Sequence, residues 1–159
     1  MTGRPPGHTL RRVMRARVQI VAVALAALAG VASNANAAAP AAVTIAGTIA
    51  QFGPPPDFRG SWQSSGAISD AGTFVETEFH FTGALAHSPV VGVFQAVIEF
   101  AGSQGTIAIR QQAQFTGASE GTWQVASGTG AYDGATGHGT FALTAPNSLA
   151  FTGVVSTAG

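Results

Sequence analysis

The chain has 159 residues, of which 46% are hydrophobic and only 9% charged. Its formal net charge of zero hides an uneven layout. Arg4, Arg11, Arg12, Arg15 and Arg17 crowd the beginning, whereas beyond residue 37 only Arg59 and Arg110 stand against Asp57, Asp70, Glu76, Glu78, Glu99, Glu120 and Asp133, and two minus seven is −5. An acidic body without lysine argues against nucleic acid and anionic membrane surfaces as partners, and the absence of cysteine leaves stability to the core alone.

The arginine-rich start is followed by an apolar run from Val18 to Val31 and by the small-x-small triplet Ala35-Asn36-Ala37. Residues 1–37 therefore read as a secretory signal peptide. The apolar run is shorter than the ~20 residues that span a bilayer, so no stable membrane span is expected after cleavage, although an uncleaved anchor stays open. Arg11-Arg12 leaves the twin-arginine route open beside the general one. The mature part, residues 38–159, is expected to be secreted, extracellular or in the periplasm or cell envelope, and to form one domain around one core.

Val43 to Ile49 alternates branched apolar with small or polar residues, the period of a strand, with Gly47 expected to mark a bulge. Gly53-Pro54-Pro55-Pro56-Asp57 reads as a stiff surface connection, because three prolines remove three backbone donors. Strands are expected from Phe58 to Ser64 and from Thr73 to Phe81. Strict alternation in the latter sets Val75, Thr77, Phe79 and Phe81 on one face and Phe74, Glu76, Glu78 and His80 on the other. Val90 to Phe100 and Thr106 to Phe115 flank a hairpin turn at Ala101 to Gly105. With Ser103 and Gln104 as its loop, Phe100 faces Ile107 and Ile98 faces Ile109, and Glu99 and Arg110 become diagonal neighbours on the opposite face.

From Gly121 to Phe141 runs Gly-Thr-Trp-Gln-Val-Ala-Ser-Gly-Thr-Gly-Ala-Tyr-Asp-Gly-Ala-Thr-Gly-His-Gly-Thr-Phe. Ser127 to Gly130 reads as a turn after the strand around Trp123, and Gly134, Gly137 and Gly139 as bends or close backbone approaches. Strands follow at Gly139 to Thr144 and Leu149 to Ser156. No segment after the leader has a sustained helical period, so the mature chain is expected to be all-β, a barrel or a sandwich. Gly60-Ser-Trp-Gln63 and Gly121-Thr-Trp-Gln124 each lead to Gly-Thr-Phe and then Phe-Thr-Gly, either an internal repeat or chance in a composition rich in these residues.

The glycine-rich stretch resembles the bacterial allene oxide cyclase barrel-like proteins, and its Gly-Thr-Gly-aromatic turn is similar to one in plant dirigent proteins. The likeness is best from Gly121 to Phe141 and looser from about Val43 onward. It implies a small antiparallel eight-stranded β-barrel. It also implies a family that isomerises, cyclises or steers small hydrophobic substrates in the barrel mouth without a cofactor. No catalytic residue of that family can be matched to a position here.

The candidate ligand-binding residues are Glu99, Arg110, Gln112, Tyr132, Glu76 and Glu78. Glu76, Glu78 and His80 on one strand face either aim two carboxylates and an imidazole into the barrel, where burial would raise the carboxyl pKa values, or form a solvated face. Glu99 and Arg110, with Gln112 and Gln114, either floor a polar pocket as a buried pair or make an exposed cross-strand pair. Tyr132 either lines the mouth as a hydrogen-bond donor or plugs the barrel end, with Asp133 serving the turn. His80, His87 and His138 lie on distant segments without metal-ligand spacing. Gly128-x-Gly130-x-x-x-Gly134 is not a dinucleotide fingerprint, and no nucleophile elbow is present. Neither metal nor cofactor is implied. The expected function is binding of a small hydrophobic molecule, with cofactor-independent isomerase or cyclase activity left open. The alternative is a non-catalytic structural or interaction protein of the envelope or extracellular space, and homo-oligomerisation is compatible with both.

Overall fold

The computed structural model describes residues 38–84, 91–115 and 120–157; the leader expected at residues 1–37 lies outside them, as does His87. Eight strands follow one another in chain order: β1 (Ala41–Gln51), β2 (Arg59–Gly66), β3 (Ala71–Ala84), β4 (Val91–Gly102), β5 (Thr106–Phe115), β6 (Glu120–Gly128), β7 (Thr136–Ala145) and β8 (Ser148–Ser156). Each pairs antiparallel with the next, and β8 returns to β1, so the sheet closes into the expected eight-stranded barrel. Closure pairs β1 with β8, the two strands that would edge an open sheet.

Two-residue periodicity decides what lies inside. Val43, Ile45 and Ile49 of β1, Ile107, Ile109 and Ala113 of β5, and Leu149, Phe151 and Val155 of β8 are buried, with exposed or half-buried residues at the alternate positions. The interior is dominated by rings. Phe58, Phe74, Phe100, Phe151, Phe141, Phe94 and Phe79 form a continuous chain of neighbours across it, with centroids 5.5–6.0 Å apart. Offset and edge-on pairs of this kind each add about 0.5–1.5 kcal/mol to the burial of their area. Trp62 and Trp123 complete the core, their indole N–H groups donating to Ala101 O and to Thr140 O and Thr152 O. A Cβ at Gly153 would clash with the backbone carbonyl of His138 and would also stand 2.8 Å from Cζ2 of Trp123, so the wall is bare beside that ring.

The predicted hairpin register is observed, with Phe100 opposite Ile107 and Ile98 opposite Ile109. Two local expectations are corrected. The irregularity in β1 falls between Ile49 and Gln51, while Gly47 pairs regularly with Trp62 and with Leu149. In β3 the strict alternation expected from Thr73 to Phe81 breaks, because the register against β4 shifts between Glu76, opposite Ile98, and Glu78, opposite Val97. Thr77 is the extra residue, and its hydroxyl donates to Val97 O at 3.4 Å. A bulge of this kind exchanges the faces of everything beyond it. The two tryptophan words of the sequence sit on β2 and β6, and the two Gly-Thr-Phe words on β3 and β7. The Phe-Thr-Gly words that close the two echoes, at Phe81 and Phe151, sit on β3 and β8, so the echo does not extend through a whole repeat.

The end of the barrel carrying the β2–β3, β4–β5 and β6–β7 connections is closed. The last of these contains a 3-10 turn, Gly130–Tyr132, entered through Gly130 at φ 63°, a left-handed value that favours glycine. It presses Tyr132, only 2% exposed, into the barrel end. Asp70, just before β3, ties the three connections together. Its carboxylate accepts from the backbone N–H of Ala71, Ser103 and Gln104, from the Ser103 hydroxyl at 2.7 Å and from the Tyr132 hydroxyl at 2.7 Å. Desolvation opposes the charge, but the hydrogen bonds from Ser103, Tyr132, Gln104 and Ala71 outweigh it and hold the Asp70 carboxyl well below the usual range. Burial, and then Asp70 itself, raise the Tyr132 phenol. A carboxyl depressed in the folded state stabilises fully above its unfolded pKa, and that contribution is lost as pH falls through the folded value. Thermal unfolding between pH 7 and pH 2 should therefore show Asp70→Asn less stable than wild type at neutral pH, with the gap narrowing below about pH 4. Tyr132→Phe should cost about 1 kcal/mol at neutral pH; an unchanged midpoint in both variants would contradict the account of this tie.

Candidate functional site

Of the polar and charged side chains buried among the described residues, Glu76 and Gln111 lie at inner strand positions, whereas Ser156, at the end of β8, donates to Ala38 O. Alternation with Phe74 puts Glu76 on the inner face, 6% exposed, level with Ile98 of β4 and beside Phe58, whose carbonyl accepts the Glu76 backbone N–H at 2.8 Å. Gln111 follows Ile107 and Ile109 on the inner face of β5 and is 4% exposed. Its neighbours across the sheet are Ala96 and Trp123. Ala96 offers no donor, and the single indole N–H of Trp123 is already engaged by carbonyls of β7 and β8. The Gln111 Oε1 atom is consequently buried without a hydrogen-bond partner, a state that costs about 1–3 kcal/mol in a folded protein.

Both groups belong to one patch around β4. Ala96 stands between Phe79 and Gln111, and one step along the same strand Ile98 stands between Glu76 and Ile109. The patch lies toward the end opposite Tyr132, where two aromatic rings are exposed. Phe79 stacks on Phe94 with centroids 5.9 Å apart, yet remains 44% exposed. Phe52 projects from the β1–β2 connection with its ring edge on Phe58, 5.3 Å between centroids, and is 74% exposed. The rim thus offers exposed ring surface beside a buried carboxyl and a buried carboxamide.

Desolvation raises the Glu76 carboxyl to about 7. A carboxyl at that value is present in both protonation states at neutral pH and can give or take a proton there.

The other candidates lie elsewhere. Glu78 is on the outer face, corrected together with His80 by the same bulge: Phe74 and Glu76 below it share the inner face with Phe79 and Phe81 above it. Glu99, Arg110 and Gln112 are exposed on the outer wall, so the pocket floor considered for them does not exist. Strand alternation is the reason, since Ile98, Phe100, Ile109 and Gln111 occupy the inner positions. Among the described residues no ion pair links Glu99 to Arg110; they remain diagonal neighbours. Arg110 and Gln112 instead border a shallow outer depression of about 330 Å³ with Thr122, Gln124 and His138. A second depression, about 480 Å³, adjoins it at Gln124 and His138. Tyr132 is inside the barrel at the closed end, tied to Asp70 and away from the rim. Among the described residues no group of three or more His, Cys, Asp or Glu is gathered to hold a metal ion.

Gln111 and Asp70 were not singled out in the sequence. For Gln111 the signal was present: the alternation that sends Arg110 and Gln112 outward sends Gln111 inward. Asp70 carries no comparable signal, because its partners come from connections more than thirty residues away.

A carboxyl raised in the folded state takes up protons on folding, so stability falls as pH rises from the unfolded pKa of about 4.3 toward the folded value near 7. Glu76→Gln should match wild type near pH 4 and exceed it by about 1–2 kcal/mol at pH 8, a figure discounted for solvent screening. Denaturant unfolding at the two pH values checks this, and an equal difference at both would place Glu76 in water.

No match was found among curated proteins. Residues 58–152 match a family described as Protein of unknown function (DUF3224), a span from the start of β2 into β8 that includes Asp70, Glu76, Gln111 and Tyr132. That match covers more than half of the chain, which therefore belongs to the DUF3224 family.

Proposed function

We propose that this protein binds a small, largely apolar molecule at the open rim of its barrel, with Glu76 and Gln111 as the polar groups that orient it. The observation that carries this reading is the Gln111 carboxamide, buried beside Ala96 with its oxygen unpartnered in an interior otherwise made of rings. A folded chain accepts such a deficit where a ligand removes it. The exposed face of Phe79 gives an apolar molecule a surface to cover, and burial of that surface supplies the main driving force. Glu76, raised to about 7, supports a cofactor-independent isomerisation or cyclisation of the bound molecule, because a group poised near neutral pH can move a proton within a site that holds a flexible substrate in a reactive shape. The likeness of the Gly121 to Phe141 stretch to the allene oxide cyclase barrel-like and dirigent proteins supports the same reading, as does the leader-like start of the chain for a secreted protein.

A second reading, a structural barrel that acts through its surface, is favoured by the continuous chain of phenylalanine rings filling the interior. The two readings separate in native mass spectrometry of protein isolated without denaturation from the cell that makes it. Rim binding predicts a discrete extra mass that is lost on denaturation and reduced in Gln111→Leu, which keeps the side chain's bulk and removes its polar end. A clean mass for the wild type supports the structural barrel.

A further inference from the structure

β3 is the longest strand, and its two halves have different neighbours. From Ala71 to Val75 it pairs with β2 on one side and β4 on the other. The last backbone bond on the β2 side joins the Glu76 N–H to Phe58 O at 2.8 Å. From Thr77 to Gly83, β3 pairs with β4 alone among the described residues. Among the described residues the barrel wall therefore has an unpaired strand edge there, a row of backbone donors and acceptors that can pair with another strand. Thr77, Glu78, Phe79 and His80 along it are all exposed.

The order of side chains on this edge suits one partner in particular. We propose that the upper half of β3 pairs antiparallel with the same strand of a second copy of this chain, about a two-fold axis through Phe79. In that register Glu78 of each copy stands opposite His80 of the other on the outer face, and the two Phe79 rings stand opposite each other on the inner face. Thr77 faces Phe81, and the bulge ends the ladder. A two-fold contact must be self-complementary, with each residue meeting its counterpart's partner, and an acid two positions from an imidazole, with an aromatic ring between them, meets that demand. Opposite-charge and aromatic pairs directly across a ladder are favourable, whereas like charges there are unfavourable. Shifting the axis to His80 sets imidazole against imidazole and leaves Glu78 opposite Thr82, so the sequence selects the register centred on Phe79. The pairing also covers a ring that is 44% exposed. A ladder this short buries less than the ~1,200–2,000 Å² of a stable protein interface, so the association is reversible and concentration-dependent. It rests on the strand edge and on no reading of the barrel interior.

Sedimentation equilibrium of the mature protein across a concentration series tests the pairing. Wild type should show a monomer–dimer equilibrium. Glu78→His, which sets imidazoles against each other, and His80→Glu, which sets carboxylates against each other, should each weaken it about tenfold, the combined effect of two symmetry-related pairs. The double exchange E78H/H80E recreates both pairs with their ends reversed and should restore the wild-type constant, which a merely misfolded variant could not do. A wild-type protein that stays monomeric throughout, or a double exchange no better than the single ones, would overturn the proposal.

Discussion

One extra residue in β3 governs where the chemistry of this barrel lies. Without Thr77, the alternation that buries Phe74 would carry Glu76, Glu78 and His80 to the same side and send Phe79 and Phe81 to solvent. With it, Phe74, Glu76, Phe79 and Phe81 all share the inner face, and Glu78 and His80 are left outside. Glu78 and His80 are thereby kept out of the interior, Phe79 joins the aromatic chain and Phe81 packs against the core, leaving Glu76 as the one carboxyl of β3 held against rings. Bulges are favoured where a strand must re-aim a side chain or end its pairing. Here both happen within two residues, because β2 leaves β3 at Glu76 just before the bulge.

The two ends of the barrel are built on opposite principles. At the closed end, Asp70 gathers donors from three connections, and Tyr132 fills the opening beneath it. Both Asp70 carboxylate oxygens accept hydrogen bonds, so the charge is stabilised. At the other end, the Gln111 oxygen has no partner and the Glu76 charge is disfavoured by its surroundings. Proteins tolerate strain of this sort where the rest of the fold over-determines the position, and the ring chain from Phe58 to Phe79 supplies that over-determination. The contrast separates a structural polar network from a polar pair that lacks internal partners.

Much of the architecture was legible because barrel strands declare themselves by period and by punctuation. The alternation of β1 and β5 and the hairpin at Ser103 and Gln104 could be read residue by residue; the glycine-rich passage showed a turn but not its bounds, since β6 runs through Gly128 and β7 starts at Thr136 rather than Gly139. The orientation of β3 could not, since a bulge at threonine has no sequence mark and reverses every assignment beyond it. Glu99 and Arg110 drew attention as rare charges, but rarity says nothing about which face a strand turns inward. Gln111 was obscured by its neighbours: in Arg110-Gln111-Gln112 three polar residues run together, and only the register against Ile107 and Ile109 separates the buried one from the exposed two. Asp70 depends on contacts between connections far apart in the chain, which local pattern does not encode.

Glu76 lies inside the barrel, on the face it shares with Phe74, and is held there against rings. The most direct measurement is a carboxyl-carbon NMR titration of the glutamates, with Glu76 assigned by comparison with Glu76→Gln. The account predicts that the Glu76 resonance titrates near pH 7. A Glu76 carboxyl that titrates near the ordinary glutamate value of about 4.3 would contradict it, returning that side chain to solvent and removing the polar pair on which the rim site depends.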